Sequence, residues 1–120
     1  MERTAVWRAG EVAAVHHLVK RGWVIVERNW RCSLGEVDII AHTGGDDPVL
    51  VFCEVKCRTG RGYGDPLEAI TEAKIARLRR LALTWLGEQP HWVPNYRIDA
   101  IGVLLARGRP EITHVEGLGG

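Results

Sequence analysis

Hydrophobic and polar positions along this chain follow two periods. From about Ala5 to Lys20 the repeat is helical, with Glu11, Ala14, Val15 and Leu18 at i, i+3, i+4 and i+7 on one stripe. The segment closes on Arg21-Gly22, a basic last turn followed by a glycine stop. Trp23 to Glu27 is short, apolar and β-branched, and Asn29-Trp30-Arg31 continues it toward a turn at Gly35-Glu36. Val37 to Ala41 reads as the next strand. The breakers between His42 and Pro48 predict a hairpin that pairs residues 37–41 with 49–57 antiparallel. A second helix starts after Thr71, a candidate N-cap with Glu72 in the first turn, and runs to Trp85-Leu86 before Gly87. Ile75, Leu78, Ala82, Trp85 and Leu86 form its buried stripe, and Lys74, Arg77, Arg79 and Arg80 fall on its other faces. Arg97 to Leu105 and Glu111 to Val115 read as closing strands. The order is α-β-β-β-α-β-β, an α/β (α+β) arrangement.

Ionised residues interrupt this pattern where hydrocarbon is expected. Glu54 and Lys56 lie inside the apolar run Val49–Arg58, and they project to one face about 7 Å apart, two residues' rise. Asp38, on the neighbouring strand, joins them if it faces the same side, which a one-residue slip in register would prevent. Charges in an apolar setting are costly unless paired or bound to a metal. An acid, acid, lysine cluster on a sheet therefore points to metal-dependent phosphodiester chemistry. Glu11 shares the core-facing stripe of the first helix, either as a further metal or water ligand or as an edge residue reaching solvent. Glu36 shares a face with Asp38 by parity.

Composition narrows the setting. The 120 residues, 46% hydrophobic, are expected to form one domain around one core. A net charge of +1 announces no nucleic-acid partner, so such binding needs a local basic surface. Thr59 to Pro66 interleaves Gly60, Gly62 and Gly64 with Arg61 and Tyr63 just after Arg58, a loop able to wrap a phosphate backbone. Lys74 and Arg77, at i and i+3, add a basic edge. No run approaches the ~18 apolar residues of a membrane span, and the N-terminus lacks a signal peptide's apolar core, so a cytoplasmic protein is expected. The three cysteines, Cys32, Cys53 and Cys57, are expected to be buried free thiols. The five histidines show no partner at ligand spacing, and no chemistry is assigned to them.

Gly10-Glu11, Arg28-Asn29-Trp30-Arg31, Gly35-Glu36-Val37-Asp38, Phe52-Cys53-Glu54-Val55-Lys56-Cys57-Arg58, Tyr63-Gly64-Asp65-Pro66, Lys74 and Arg97-Ile98-Asp99 occur in one order. In that order the chain resembles the UPF0102 (YraN-like) family over nearly its whole length. The family is similar to the restriction-endonuclease-like, PD-(D/E)XK superfamily and to archaeal Holliday-junction resolvases. The resemblance implies a central mixed β-sheet flanked by helices. It also implies Asp38 and Glu54 as metal-ligand acids, Lys56 as the catalytic lysine and Glu11 as a supporting acid. Arg97 and Asp99 are expected to form a structural pair.

The expected activity is hydrolysis of phosphodiester bonds in DNA, branched or nicked DNA in particular, with Mg2+ or Mn2+. Asp38, Glu54, Glu11 and the Val55 main-chain carbonyl are the expected metal ligands, and Arg58, Arg61, Tyr63, Lys74 and Arg77 the expected nucleic-acid contacts. The alternative is a nucleic-acid-binding module without turnover on the same scaffold. The five tryptophans admit a third reading, a protein-interaction surface, if Trp30, Trp85 or Trp92 form an exposed patch. DNA is favoured over RNA as partner, and homodimerisation stays open, although junction-cutting relatives need two sites and a lone 120-residue domain carries one.

Overall fold

The computed structural model describes residues 3–60, 66–91, 93, 95–106 and 108–119. Helix α1 (Arg3–Lys20) is followed by strands β1 (Val24–Cys32), β2 (Gly35–His42) and β3 (Leu50–Arg58). After a 3-10 turn at Pro66–Ala69 come helix α2 (Glu72–Gly87) and strands β4 (Tyr96–Leu104) and β5 (Glu111–Val115). The element order is the one the hydrophobic periods predict.

The strands form one five-stranded sheet in the order β1-β2-β3-β4-β5. β1, β2 and β3 pair antiparallel, α2 returns the chain so that β4 lies parallel to β3, and β5 adds an antiparallel edge. A parallel neighbour requires a crossover, and α2 supplies it. The mixed α+β architecture agrees with a nuclease-like core.

Side-chain alternation divides the core between the two faces of the sheet. Ile39, Ala41, Val51, Cys53 and Val55 pack with Ala14 and Leu18 of α1. Ile40, Leu50, Phe52 and Ile98 pack with Leu78, Leu81, Ala82 and Trp85 of α2. Leu81 replaces Ile75 and Leu86 in the deep part of the α2 stripe; those two are only half-buried. Thr71 caps α2 as expected, its hydroxyl accepting from the Lys74 N–H at 3.2 Å. The β1–β2 turn, expected at Gly35-Glu36, falls instead at Ser33-Leu34, because Cys32 already pairs with Gly35. Trp23 and Trp85 are buried and Trp30 half-buried, so Trp85 belongs to the core rather than to an exposed aromatic patch; Trp92 lies outside the described residues. Cys53 is buried as expected, whereas Cys32 and Cys57 are half-buried.

Close contact between α1 and β3 depends on Gly10. A Cβ there would stand 2.6 Å from the Cys57 Cβ, and the Cys57 thiol donates to the Val6 carbonyl at 3.4 Å. Gly10→Ala should therefore push α1 off β3 and destabilise the fold by ~1–3 kcal/mol, despite the better helix propensity of alanine. Urea denaturation checks this, and an unchanged midpoint would contradict the packing described.

Candidate active site

The β2–β3 ladder ends early. Its pairs run from His42↔Leu50 to Ile39↔Cys53. One residue further along β2, alternation also breaks: Val37 packs on the α2 face although Ile39, two residues away, packs on the α1 face. β1 is irregular at the same level, where Asn29 lies between the Arg28↔Ile39 and Trp30↔Val37 pairs and takes a left-handed φ of 55°. Asparagine tolerates that conformation better than most residues.

Asp38 sits at this break. Its Oδ2 accepts a 2.7 Å hydrogen bond from the Val55 N–H, which points toward β2 where the ladder has ended. A strand residue projects its N–H and C=O to the same edge, so the Val55 carbonyl addresses the same gap. Glu54 immediately precedes Val55 on β3, and Lys56 Nζ reaches its Oε1 at 3.0 Å. Both are largely buried, with side-chain exposures of 17% for Glu54 and 22% for Lys56. Lys56 is level with Gly102 of β4, against which Leu67 of the 3-10 turn packs closely.

Electrostatics mark Asp38 apart. Burial pushes its carboxyl up, the Glu54 charge adds to the rise, the Val55 N–H opposes it, and Glu36 and Glu11 contribute further. The result is a carboxyl raised to about 7. Glu36 has one oxygen held by Arg31 Nε at 3.1 Å, while its buried Oε1 finds no partner among the described residues. Acids are thus gathered here without enough positive charge to balance them.

Glu11 is held inside the fold. It is 1% exposed, so it does not reach solvent from the edge of the α1 stripe. Its Oε1 accepts from Arg28 Nε and from Asn29 Nδ2, both at 3.0 Å. The contact joins α1 to the irregular part of β1 directly opposite Asp38. Among the expected nucleic-acid contacts, Arg58 is half-buried at the end of β3, with Nη1 donating to the Cys57 carbonyl. Lys74 is half-buried in the first turn of α2, and Arg77 is exposed beside Gly35. Arg61 and Tyr63 lie outside the described residues. Among the described residues no three His, Cys, Asp or Glu side chains converge to hold a metal. Asp38 and Glu54 offer two carboxylates, and the Val55 carbonyl and the unpartnered oxygen of Glu36 are further oxygen donors nearby. That donor set suits a hard divalent ion, since Mg2+ is commonly held by one or two carboxylates together with water and substrate phosphates.

A family model described as "Uncharacterised protein family UPF0102" matches residues 10–103. The chain belongs to the UPF0102 family. A UPF0102 protein of Mycobacterium avium (strain 104) is 49% identical over 120 residues, covering 99% of this chain and 93% of the relative. One of Nocardioides sp. (strain ATCC BAA-499 / JS614) is 45% identical over 118 residues, covering 98% and 93%. One of Mycobacterium ulcerans (strain Agy99) is 48% identical over 120 residues, covering 99% and 98%. The matched segment of this UPF0102 chain contains Glu11, Glu36, Asp38, Glu54 and Lys56. No described helix is long and apolar enough to cross a membrane.

A third buried acid in the UPF0102 chain is satisfied by partners of its own. Asp99 is 0% exposed and accepts from Arg97 Nε and Nη2 at 2.8 and 3.0 Å, the expected pair. It also accepts from the Gly117 N–H at 3.1 Å and contacts His114 Nε2 at 2.8 Å. Burial alone would raise its pKa, but the His114, Arg97 and Gly117 hydrogen bonds together with the Arg97 charge hold it below the ordinary carboxylate value. His114 in turn meets His17 Nε2 at 3.0 Å. No local pattern could have revealed this contact, between residues 97 positions apart. Burial, His114 and Arg21 lower the His17 pKa.

The raised Asp38 pKa has a stability consequence in metal-free protein. The unfolded carboxyl ionises near 3.8 and the folded one near 7. Between these values the folded state holds a proton that the unfolded state has released, so stability is full below the lower value and declines as pH rises toward the upper. Asp38→Asn, which can still accept from the Val55 N–H, should remove the decline. In EDTA, its stability advantage over wild type should grow from pH 4 to pH 8 by up to ~4 kcal/mol, at 1.36 kcal/mol per pH unit. A difference that stays flat across that range would show that burial and the neighbouring acids do not raise the Asp38 carboxyl as described.

Proposed function

We propose that this UPF0102 chain is a divalent-metal-dependent nuclease acting on DNA, with Asp38, Glu54 and Lys56 at its centre. The observation that carries the reading is a buried carboxyl, crowded by other acids, held on a main-chain N–H beside a glutamate–lysine pair. A fold stabilised only by packing has little use for that arrangement, because burying like charges together costs stability that apolar residues would not. A cation that binds there would offset the cost.

Asp38, Glu54 and the Val55 carbonyl would hold Mg2+ or Mn2+. Such an ion would supply Lewis acidity, activating water and offsetting charge on the phosphoryl oxygens. Within the chain, the Val55 N–H orients one oxygen of Asp38 and leaves the other for a ligand. Glu54 holds the Lys56 ammonium on the same face, where it meets the negative charge that builds on the phosphoryl group. Glu11, fixed by Arg28 and Asn29, holds α1 against the break that sets Asp38 in place. In this reading it positions that break and would also support the metal or its bound water. Arg58 and Arg77 offer phosphate contacts at the rim.

Nuclease assays on duplex, single-stranded, flap and four-way-junction DNA with Mg2+ or Mn2+ test the reading. Asp38→Asn and Glu54→Gln should abolish cleavage, and Lys56→Ala should slow it roughly 100-fold, with each variant still folded by circular dichroism. Wild-type protein that binds DNA with a steep salt dependence but never cuts it would instead favour the binding module.

A further inference from the structure

On the α1 face, at the β5 edge, a cavity of about 530 Å³ lies between the second half of α1 and the start of β5. Ala13 and Ile112 form part of its apolar wall, and His16, His17, Lys20 and Arg109 supply its polar groups. No carboxylate lines it among the described residues. β3 and β4 separate it from Asp38 in the sheet order.

His17 is held in that wall by the Asp99 network, and the proton positions follow from chemistry. Arg21 Nη1 lies 3.0 Å from His114 Nδ1 and, being an arginine, can only donate. His114 Nδ1 therefore carries a lone pair, and His114 Nε2 carries the proton it gives to Asp99 at 2.8 Å. The same Nδ1 is 3.0 Å from His17 Nε2, so His17 donates there too, sharing the one lone pair with Arg21. The His17 ring is thus fixed in one tautomer and one orientation. Adding a proton at its Nδ1 leaves every one of these bonds intact.

We propose that this cavity binds a phosphate-class anion, gripped by Lys20 and Arg109 beside the fixed imidazole of His17. A guanidinium matches two phosphate oxygens at once, and an ammonium supplies a compact charge with rotatable donors. His17 adds a wall group whose freedom is already lost in the folded protein, which lowers the entropic cost of binding. The imidazole can also take a proton as negative charge arrives, without disturbing His114 or Asp99. The groups facing His17 are His16 and Lys20 from α1, Arg21 after it, Arg109 from the β4–β5 connection and His114 from β5, with Asp99 of β4 behind them.

Titration of the full-length protein with inorganic phosphate, followed by 15N NMR, tests the site. Saturable shifts are expected at the Ala13, His17 and Ile112 amides. Lys20→Ala/Arg109→Ala should weaken binding by roughly tenfold or more, about 1.4 kcal/mol per factor of ten. Lys20→Gln/Arg109→Gln, which keeps part of each aliphatic stem, should do the same if the alanine pair fails to fold. The absence of saturable shifts in wild type, or unchanged affinity in the folded charge-removed protein, overturns the proposal. Competition then identifies the source: displacement by a 5′-phosphorylated oligonucleotide but not by its 5′-hydroxyl twin assigns a terminal phosphate. Displacement by both assigns the backbone, and displacement by neither assigns free phosphate; all three support the site. Asp38→Asn should bind phosphate as wild type does, so failure here and failure of the nuclease reading are separate results.

Discussion

The N–H of Val55 needs an acceptor. It belongs to a strand buried on both faces, at the point where the neighbouring strand has stopped pairing, and a dry N–H without a partner costs about as much as a lost hydrogen bond. The Asp38 carboxylate fills that role at 2.7 Å, and much of the local geometry follows from it. Asp38 must lie in the gap between β2 and β3, so it stands beside Glu54, and β2 must swivel, so Val37 packs on the opposite face from Ile39. β1 accommodates the same distortion through the left-handed Asn29.

Holding a carboxyl there is costly by itself, and the surroundings raise the cost. Glu54 and Glu36 are near enough to raise the Asp38 pKa further, and Lys56 is paired with Glu54. Sheet, turn and helix converge on this place from both sides. Glu11 binds α1 to β1 at the level of Asp38, while Leu67 packs on Gly102 beside Lys56. The rigid part of the fold thus positions the charges.

Asp99 shows the contrasting way to bury an acid. Its carboxylate is fully enclosed, yet an arginine, a histidine and a main-chain N–H satisfy it, and it is held in its charged form. The same network ties β4 to β5 and, through His17 and Arg21, to the end of α1. Asp99 is balanced inside the protein by those partners, whereas Asp38 has one main-chain N–H and acidic neighbours.

The two hydrophobic periods decided the element order, the Thr71 cap and the hairpin that brings Asp38 toward Glu54, because those depend on neighbours within a few turns of chain. Residue chemistry likewise singled out Asp38, Glu54 and Lys56, since charge inside an apolar strand is visible in one dimension. Other features required the folded chain. The break after Ile39↔Cys53 is a matter of register, which alternation constrains but does not set, and the partners of Glu11 lie 17 and 18 positions away. The pairing of His17 with His114 spans most of the chain. Sequence determined which groups bear charge and which faces are apolar, because both are properties of residues and their near neighbours. Tertiary structure decided which charges are satisfied, because that depends on distances between strands and helices far apart in the chain.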